Sequence, residues 1–221
     1  MSTPEVRALT AFVDDVLPHD RSHWPPGWPG ETEAALLDAV FSARATYGTP
    51  TSGVRRVIGN WRAHRDAELD DLTTLAAFAD APDRLAEILG NRQRVPGNYT
   101  TKAEAAARAA AALAEAGIRG SNRVGDGRAA WEAIAAIPGL GATTWETFVL
   151  RLGLIGPTAL DAVHQFVAEA LGTDESSPTE AEALDLLAAT ADGAGIDPAA
   201  LLGAIWRYHR TRDRAPKPLS A

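Results

Sequence analysis

A chain of 221 residues, 46% hydrophobic and 23% charged, has enough apolar side chain to fold around a real core. The absence of cysteine excludes a disulfide framework, a thiolate zinc site and a cysteine-ligated iron–sulfur cluster. A net charge of −8 argues against a surface coated for nucleic acid.

The N-terminal segment MSTPEVRALTAFVDDVLPHD carries acids and lacks a long apolar run, so no signal peptide is expected. No stretch reaches the ~20 apolar residues of a membrane span, which makes a cytoplasmic protein the default and a membrane partner unexpected. Apolar residues recur at helical spacing throughout, and no window alternates like a strand. The pattern predicts an all-α protein of roughly ten helices, over 5–16, 31–47, 51–65, 67–79, 82–90, 100–116, 127–136, 142–152, 158–171, 179–192 and 197–211. Pro- and Gly-rich breakers separate them, and Asp197 before Pro198 reads as an N-cap followed by Pro at the first helical position.

The connector HDRSHWPPGWPG at 19–30 holds Trp24 and Trp28, which read as cover for the core or as an aromatic wall. His19 and His23 lack a third ligand at zinc spacing. Residues 42–65 carry Arg44, Arg55, Arg56, Arg62 and Arg65 and no acid, and the tail carries Arg207, Arg210, Arg212, Arg214 and Lys217. The segment 173–197 is acidic without a single Lys or Arg. Such segregation reads either as solvated faces or as one basic face with an acidic back.

The stretch AAIPGLGATTWETFVLRLG at 135–153 stops a helix with Pro138, places Gly139 and Gly141 around Leu140, and resumes at once. A Gly-x-Gly turn between two helices exposes backbone N–H groups, to which the second helix adds its unpaired amides and positive dipole end. That is an anion site. The plain alternative is an αα-corner whose glycines let two helices pack.

Four blocks in order extend the hairpin: FSARAT at 41–46, GNYTTKAE at 97–104, IPGLGATTW at 137–145 and ALDAVHQFV at 159–167. Together they resemble the helix-hairpin-helix DNA glycosylase superfamily, the endonuclease III-like proteins, over roughly 36–172. The resemblance implies a single unit over 1–221 with two helical lobes and the hairpin motif between them. Lobe A would be a six-helix core over about 36–136, and lobe B would join 1–35 to 137–221. It implies that Gly139 and Gly141, with Thr143 and Thr144 at the head of the next helix, meet a phosphate of double-stranded DNA. The carbonyls of Ala135, Ile137 and Leu140 would hold a monovalent cation, with no other cofactor. Arg44 falls where the family often fills the gap left by a flipped nucleotide, and Asp161 falls on the catalytic aspartate. Lys102 reads as helix support with no chemical role. Trp145, Tyr47, Trp24 and Trp28 are the candidates for a base pocket, electron-rich faces that suit a cationic alkylated base.

Three departures shape the expected activity. Bifunctional members carry Lys where this chain has Thr143, and Thr cannot form a Schiff base with the sugar. The iron–sulfur cysteines are absent. His164 also follows Asp161 by three residues where the family spacing is two. The expectation is a monomeric, monofunctional glycosylase of base excision repair that hydrolyses the N-glycosidic bond of a flipped, damaged base. The alternative is a helix-hairpin-helix DNA-binding protein without chemistry, and a third reading is a protein-interaction module using the acidic 173–197 surface. Read without the resemblance, Asp161 is an N-cap.

Overall fold

The computed structural model describes residues 3–124, 127–172 and 178–212. It is all-α, with eleven α-helices and no strand among the described residues. The chain forms two compact units, one of residues 27–154 and the other of residues 1–26 with 155–221.

The smaller unit draws on both ends of the chain. Its helices are α1 (Pro4–Val16), α9 (Pro157–Leu171), α10 (Glu180–Gly193) and α11 (Pro198–Arg212). Local chemistry sets their ends. Thr3 caps α1 ahead of Pro4, Thr179 and Glu182 form a reciprocal capping box on α10, and Gly172 ends α9 in the left-handed region. Asp197 Oδ1 accepts the Ala200 N–H at 2.9 Å, the capping bond expected from the sequence. Leu9, Val13, Phe166, Val167, Leu187, Leu201 and Ile205 meet in its core. Trp24 lies in the same core, with its indole N–H donating to the Pro18 carbonyl at 2.9 Å.

The larger unit holds α2 (Thr32–Phe41), α3 (Gly53–Arg65), α4 (Leu72–Ala76), α5 (Pro82–Leu89), α6 (Lys102–Glu115), α7 (Arg128–Ala135) and α8 (Ala142–Arg151). The Ala-rich α6 is its axis. Ala103, Ala105, Ala106, Ala107, Ala109 and Ala110 are all buried, and side chains this small let α2, α4, α5 and α7 pack against α6.

Three sequence expectations change. The helix expected over 31–47 stops at Phe41, because the Lys102 ammonium takes the carbonyls of Phe41 and Ala43, and Arg44 turns into the left-handed region at φ 51°. The helix expected over 67–79 starts only at Leu72. Contacts keep the residues before it out of the helix: Leu69 O accepts the Glu33 N–H, the Leu72 N–H donates to Arg119 O, and the Asp71 side chain caps α4. The third change is the lobe boundary. The resemblance implies a hairpin that belongs with the chain ends, whereas Ile137, Leu140, Phe148 and Val149 join the core of the larger unit and α8 packs on α2.

Candidate functional site

Three of the four sequence blocks meet in the larger unit, and side-chain chemistry explains how. The turn between Gln93 and Lys102 is closed by the Val95 N–H donating to Thr100 O and by Asn98 Oδ1, which accepts from the Thr100 N–H and hydroxyl. On one side, Lys102 Nζ reaches the FSARAT turn, donating to Phe41 O at 2.9 Å and Ala43 O at 2.8 Å. Lys102 is 2% exposed, and burial pulls its ammonium down to about 8 from its ordinary value. Its work is the structural support expected of it: a cation on the last carbonyls of α2. On the other side, Val95 and Asn98 abut the hairpin.

That contact separates the two hairpin glycines. Gly139 has φ +85°, and a Cβ there would meet Val95 Cγ1 at 2.5 Å, so backbone and packing both require glycine. Gly141 is extended, and a Cβ there would meet nothing within 4 Å. No packing in the fold demands glycine at 141. It occupies the N-cap of α8 without a side-chain cap, and the N–H groups of Gly141, Ala142 and Thr143 find no acceptor among the described residues. Thr143 is exposed beside them, whereas Thr144 is buried and does not share that open surface. The Leu140 N–H closes the turn on Ile137 O at 3.0 Å. The carbonyls of Ala135, Ile137 and Leu140 are hard oxygen donors of the kind a monovalent cation accepts, with one lone pair of Ile137 O already engaged.

The aromatic candidates divide. Trp24 belongs to the smaller unit's core, and Tyr47 is buried in the larger one, so neither presents an open ring face. Trp145 is half-buried under the hairpin, packed so closely over Gly127 that a Cβ there would meet Cζ2 at 2.7 Å. Trp28 and Tyr47 meet on Asp38, which is fully buried: its Oδ2 accepts from the Trp28 indole at 3.0 Å and the Tyr47 hydroxyl at 2.8 Å. Its Oδ1 accepts from Ser42 Oγ at 2.9 Å and lies 3.1 Å from Arg151 Nε. Burial, then the Asp38 charge, push the Tyr47 phenol far upward, so it stays a donor. The Trp28 N–H donates to Arg151 O at 2.5 Å. Asp38 therefore gathers residues from near both ends of the 27–154 unit, a function of Asp38 that its place in an apolar helix gave no sign of.

Charge pairing thins the arginine face. Arg65 is bonded to the buried Glu33 and Arg62 to Glu31, while Arg55 lies over the Tyr47 ring. Arg44 is exposed and makes no hydrogen bond or ion pair among the described residues. Arg212 pairs with Glu169 in the smaller unit, and Arg214 and Lys217 lie outside the described residues. So do residues 173–177 of the acidic segment.

Asp161 is the fifth residue of α9, in its second turn, and Gly156 holds the N-cap position. It is therefore not a cap. Its carboxylate is exposed, with Oδ2 accepting from Gln165 Nε2 at 2.9 Å. His164 is turned elsewhere, its Nε2 2.6 Å from Pro178 O.

Sequence reading gave no role to Tyr99, which is 89% exposed at the tip of the 93–102 turn with Arg94 over its ring. The usable signal was an aromatic residue directly after a Gly-Asn turn.

No helix among the described residues is long and apolar enough to cross a membrane, and among them no group of three His, Cys, Asp or Glu side chains is placed to hold a metal. Fold and site thus define an all-α protein of two units with an open amide cluster at a helix–turn–helix corner. The chain belongs to the family described as "Domain of unknown function (DUF8548)", whose model matches residues 7–210. No curated protein and no solved structure matches it.

Proposed function

We propose that the protein binds duplex DNA by its backbone, anchoring one phosphate on the head of α8, and excises a damaged base as a monofunctional glycosylase with Asp161 as its carboxylate. The observation that carries the binding half is Gly141: a glycine that neither backbone nor packing requires, at the open amides of a helix N-terminus. The joining of the FSARAT, GNYTTKAE and hairpin blocks into one unit supports the same reading.

The chemistry follows from the residues. The amides of Gly141, Ala142 and Thr143 hold a phosphate oxygen, and a cation on the carbonyls of Ala135, Ile137 and Leu140 would add positive charge behind them. Flipping a nucleotide out of the stack costs a few kcal/mol, and Arg44, exposed and without a hydrogen-bond or ion-pair partner among the described residues, fills the gap. As the C1′–N bond breaks, charge develops on the sugar, which a carboxylate stabilises while it orients water; Asp161, a residue of the smaller unit, is the carboxylate given that role. Thr143 has no amine, so the reaction ends with hydrolysis.

Binding without chemistry is the second reading. It is favoured by Asp161 itself, which is solvated and shares an oxygen with Gln165 where a preorganised electrostatic group would be desolvated.

Two variants test the halves separately. Gly141→Asp places a good N-cap on α8, so the chain should keep or gain stability by up to ~1 kcal/mol. Its carboxylate takes the amides and repels phosphate, and duplex affinity should fall at least tenfold; unchanged affinity removes the hairpin from the interface. Asp161→Asn should leave stability and duplex affinity intact and reduce excision by ~10²–10³, measured on duplexes carrying alkylated, oxidised, deaminated or mismatched bases. Excision absent from the wild-type chain on all of these leaves the non-catalytic reading.

A further inference from the structure

A cavity of about 260 Å³ lies at the end of α2, apart from the hairpin, with Arg44, Arg56, Asn91 and Gln93 among its lining and Phe41 and Val57 as an apolar wall. No carboxylate lines it. Its amides are oriented by their neighbours. Gln93 Oε1 accepts from Lys102 Nζ at 3.3 Å, which leaves the Gln93 amide nitrogen as the free end. Asn91 Oδ1 accepts the Gln93 N–H at 2.9 Å, which likewise leaves the Asn91 amide nitrogen. Arg56 spends one N–H on Gly90 O at 3.0 Å and keeps the others. Arg44 has no hydrogen-bond or ion-pair partner among the described residues, and its backbone is held at φ 51°, a conformation that is unfavourable for a side-chain-bearing residue and collects at functional sites. The polar lining thus offers two guanidiniums and two amide nitrogens, with Thr46 beside them, and most of these donor groups have no acceptor among the described residues.

We propose that this cavity binds the terminal phosphate of a phosphomonoester. Two fixed positive charges match a group that carries about −1.5 to −2 at neutral pH, whereas a backbone diester, with one charge, would leave a guanidinium uncompensated. A volume of about 260 Å³ exceeds what a phosphate alone needs and leaves room for a small attachment. Two sources supply this chemistry: a free phosphorylated metabolite such as a mononucleotide, or the 5′-phosphorylated end of a DNA strand. The proposal goes beyond the hairpin reading and does not rest on it; one Arg44 side chain serves either the phosphate here or the gap of a flipped nucleotide, not both at once.

The test is an amide-resolved NMR titration of the full chain with inorganic phosphate and with a nucleoside 5′-monophosphate, at low ionic strength. Saturable shifts at residues 44, 56, 91 and 93 are expected. Gln93→Glu keeps an acceptor for Lys102 but turns a donor of the cavity into an anion, so binding should weaken at least tenfold with the thermal midpoint unchanged. Arg56→Gln reads the same loss should Gln93→Glu fail to fold. The proposal is overturned by an absence of saturable shifts up to about 10 mM of either probe, or by undiminished binding in both variants. Paired duplexes, with a 5′-phosphate or a 5′-hydroxyl, assign the source. A tenfold preference for the phosphorylated end, lost in Gln93→Glu, makes the ligand a strand terminus; no preference, alongside mononucleotide binding, makes it a small molecule. Duplex affinity of Gly141→Asp, which decides the hairpin reading, is not measured in this titration.

Discussion

The two units use their interiors differently. The larger buries Glu33, Asp38, Lys102, Glu146 and Arg151, whereas in the smaller the buried polar side chain among the described residues is Thr190. Four helices with apolar stripes need nothing more to pack, since burial is non-directional. A buried charge is directional. Asp38 accepts three hydrogen bonds and pairs with the Arg151 guanidinium, and Glu33 takes the Trp61 indole at 2.6 Å together with Arg65 and the Asp71 N–H. Such clusters add little net stability over apolar replacements. They do determine where the chain enters the larger unit, where it leaves, and where α2 must end.

Asp38→Ala gives the sharpest contrast. It strands a buried guanidinium, a phenol and an indole, and should destabilise by ~3–5 kcal/mol in chemical denaturation. Thr190→Val, in the smaller unit, removes a buried hydroxyl without a partner and should be neutral or stabilising. Equal losses would erase the distinction between the units.

Lys102 gives the contrast a pH signature. Its folded value, about 8, lies below its ordinary 10.5, so between those values the unfolded chain holds the extra proton. Stability should therefore rise as pH increases from 8 towards 10, by up to ~3 kcal/mol, and be lower and constant below 8. Denaturation midpoints across that window should show the rise in the native chain and lose it in Lys102→Met.

Within the hairpin, Gly139→Ala should cost ~1–3 kcal/mol, because it combines a positive φ with a clash against Val95. A stable Gly139→Ala chain would mean that the 93–102 turn can yield, and the two glycines would no longer divide into one for the fold and one for the site. The smallest stability effect belongs to Tyr99→Ala, expected within ~0.5 kcal/mol because the ring is solvated. If the ring stacks on a base, duplex affinity should nevertheless fall by ~1–3 kcal/mol in a binding titration.

Helix positions were legible because period and punctuation are local. Thr3-Pro4, Pro82, Gly90, Gly172 and Asp197-Pro198 set ends that no tertiary contact needed to correct. The all-α class and the hairpin between Ile137 and Ala142 came from the same signals. What the sequence could not determine were features made by residues far apart in the chain. Lys102 stops α2 from 61 residues away, and the Glu33–Leu69 contact delays α4. Asp38 sits inside an apolar helix with the appearance of an ordinary surface acid, and Asp161 looks like a cap although it lies one turn further in. The division between Gly139 and Gly141 also appeared only in three dimensions: both are glycines in one turn, and only packing shows that Val95 occupies the space beside one while none of the described residues fills the space beside the other. Local sequence fixes backbone conformation through short-range sterics and capping, whereas the role of a side chain depends on neighbours that only the folded chain brings within reach.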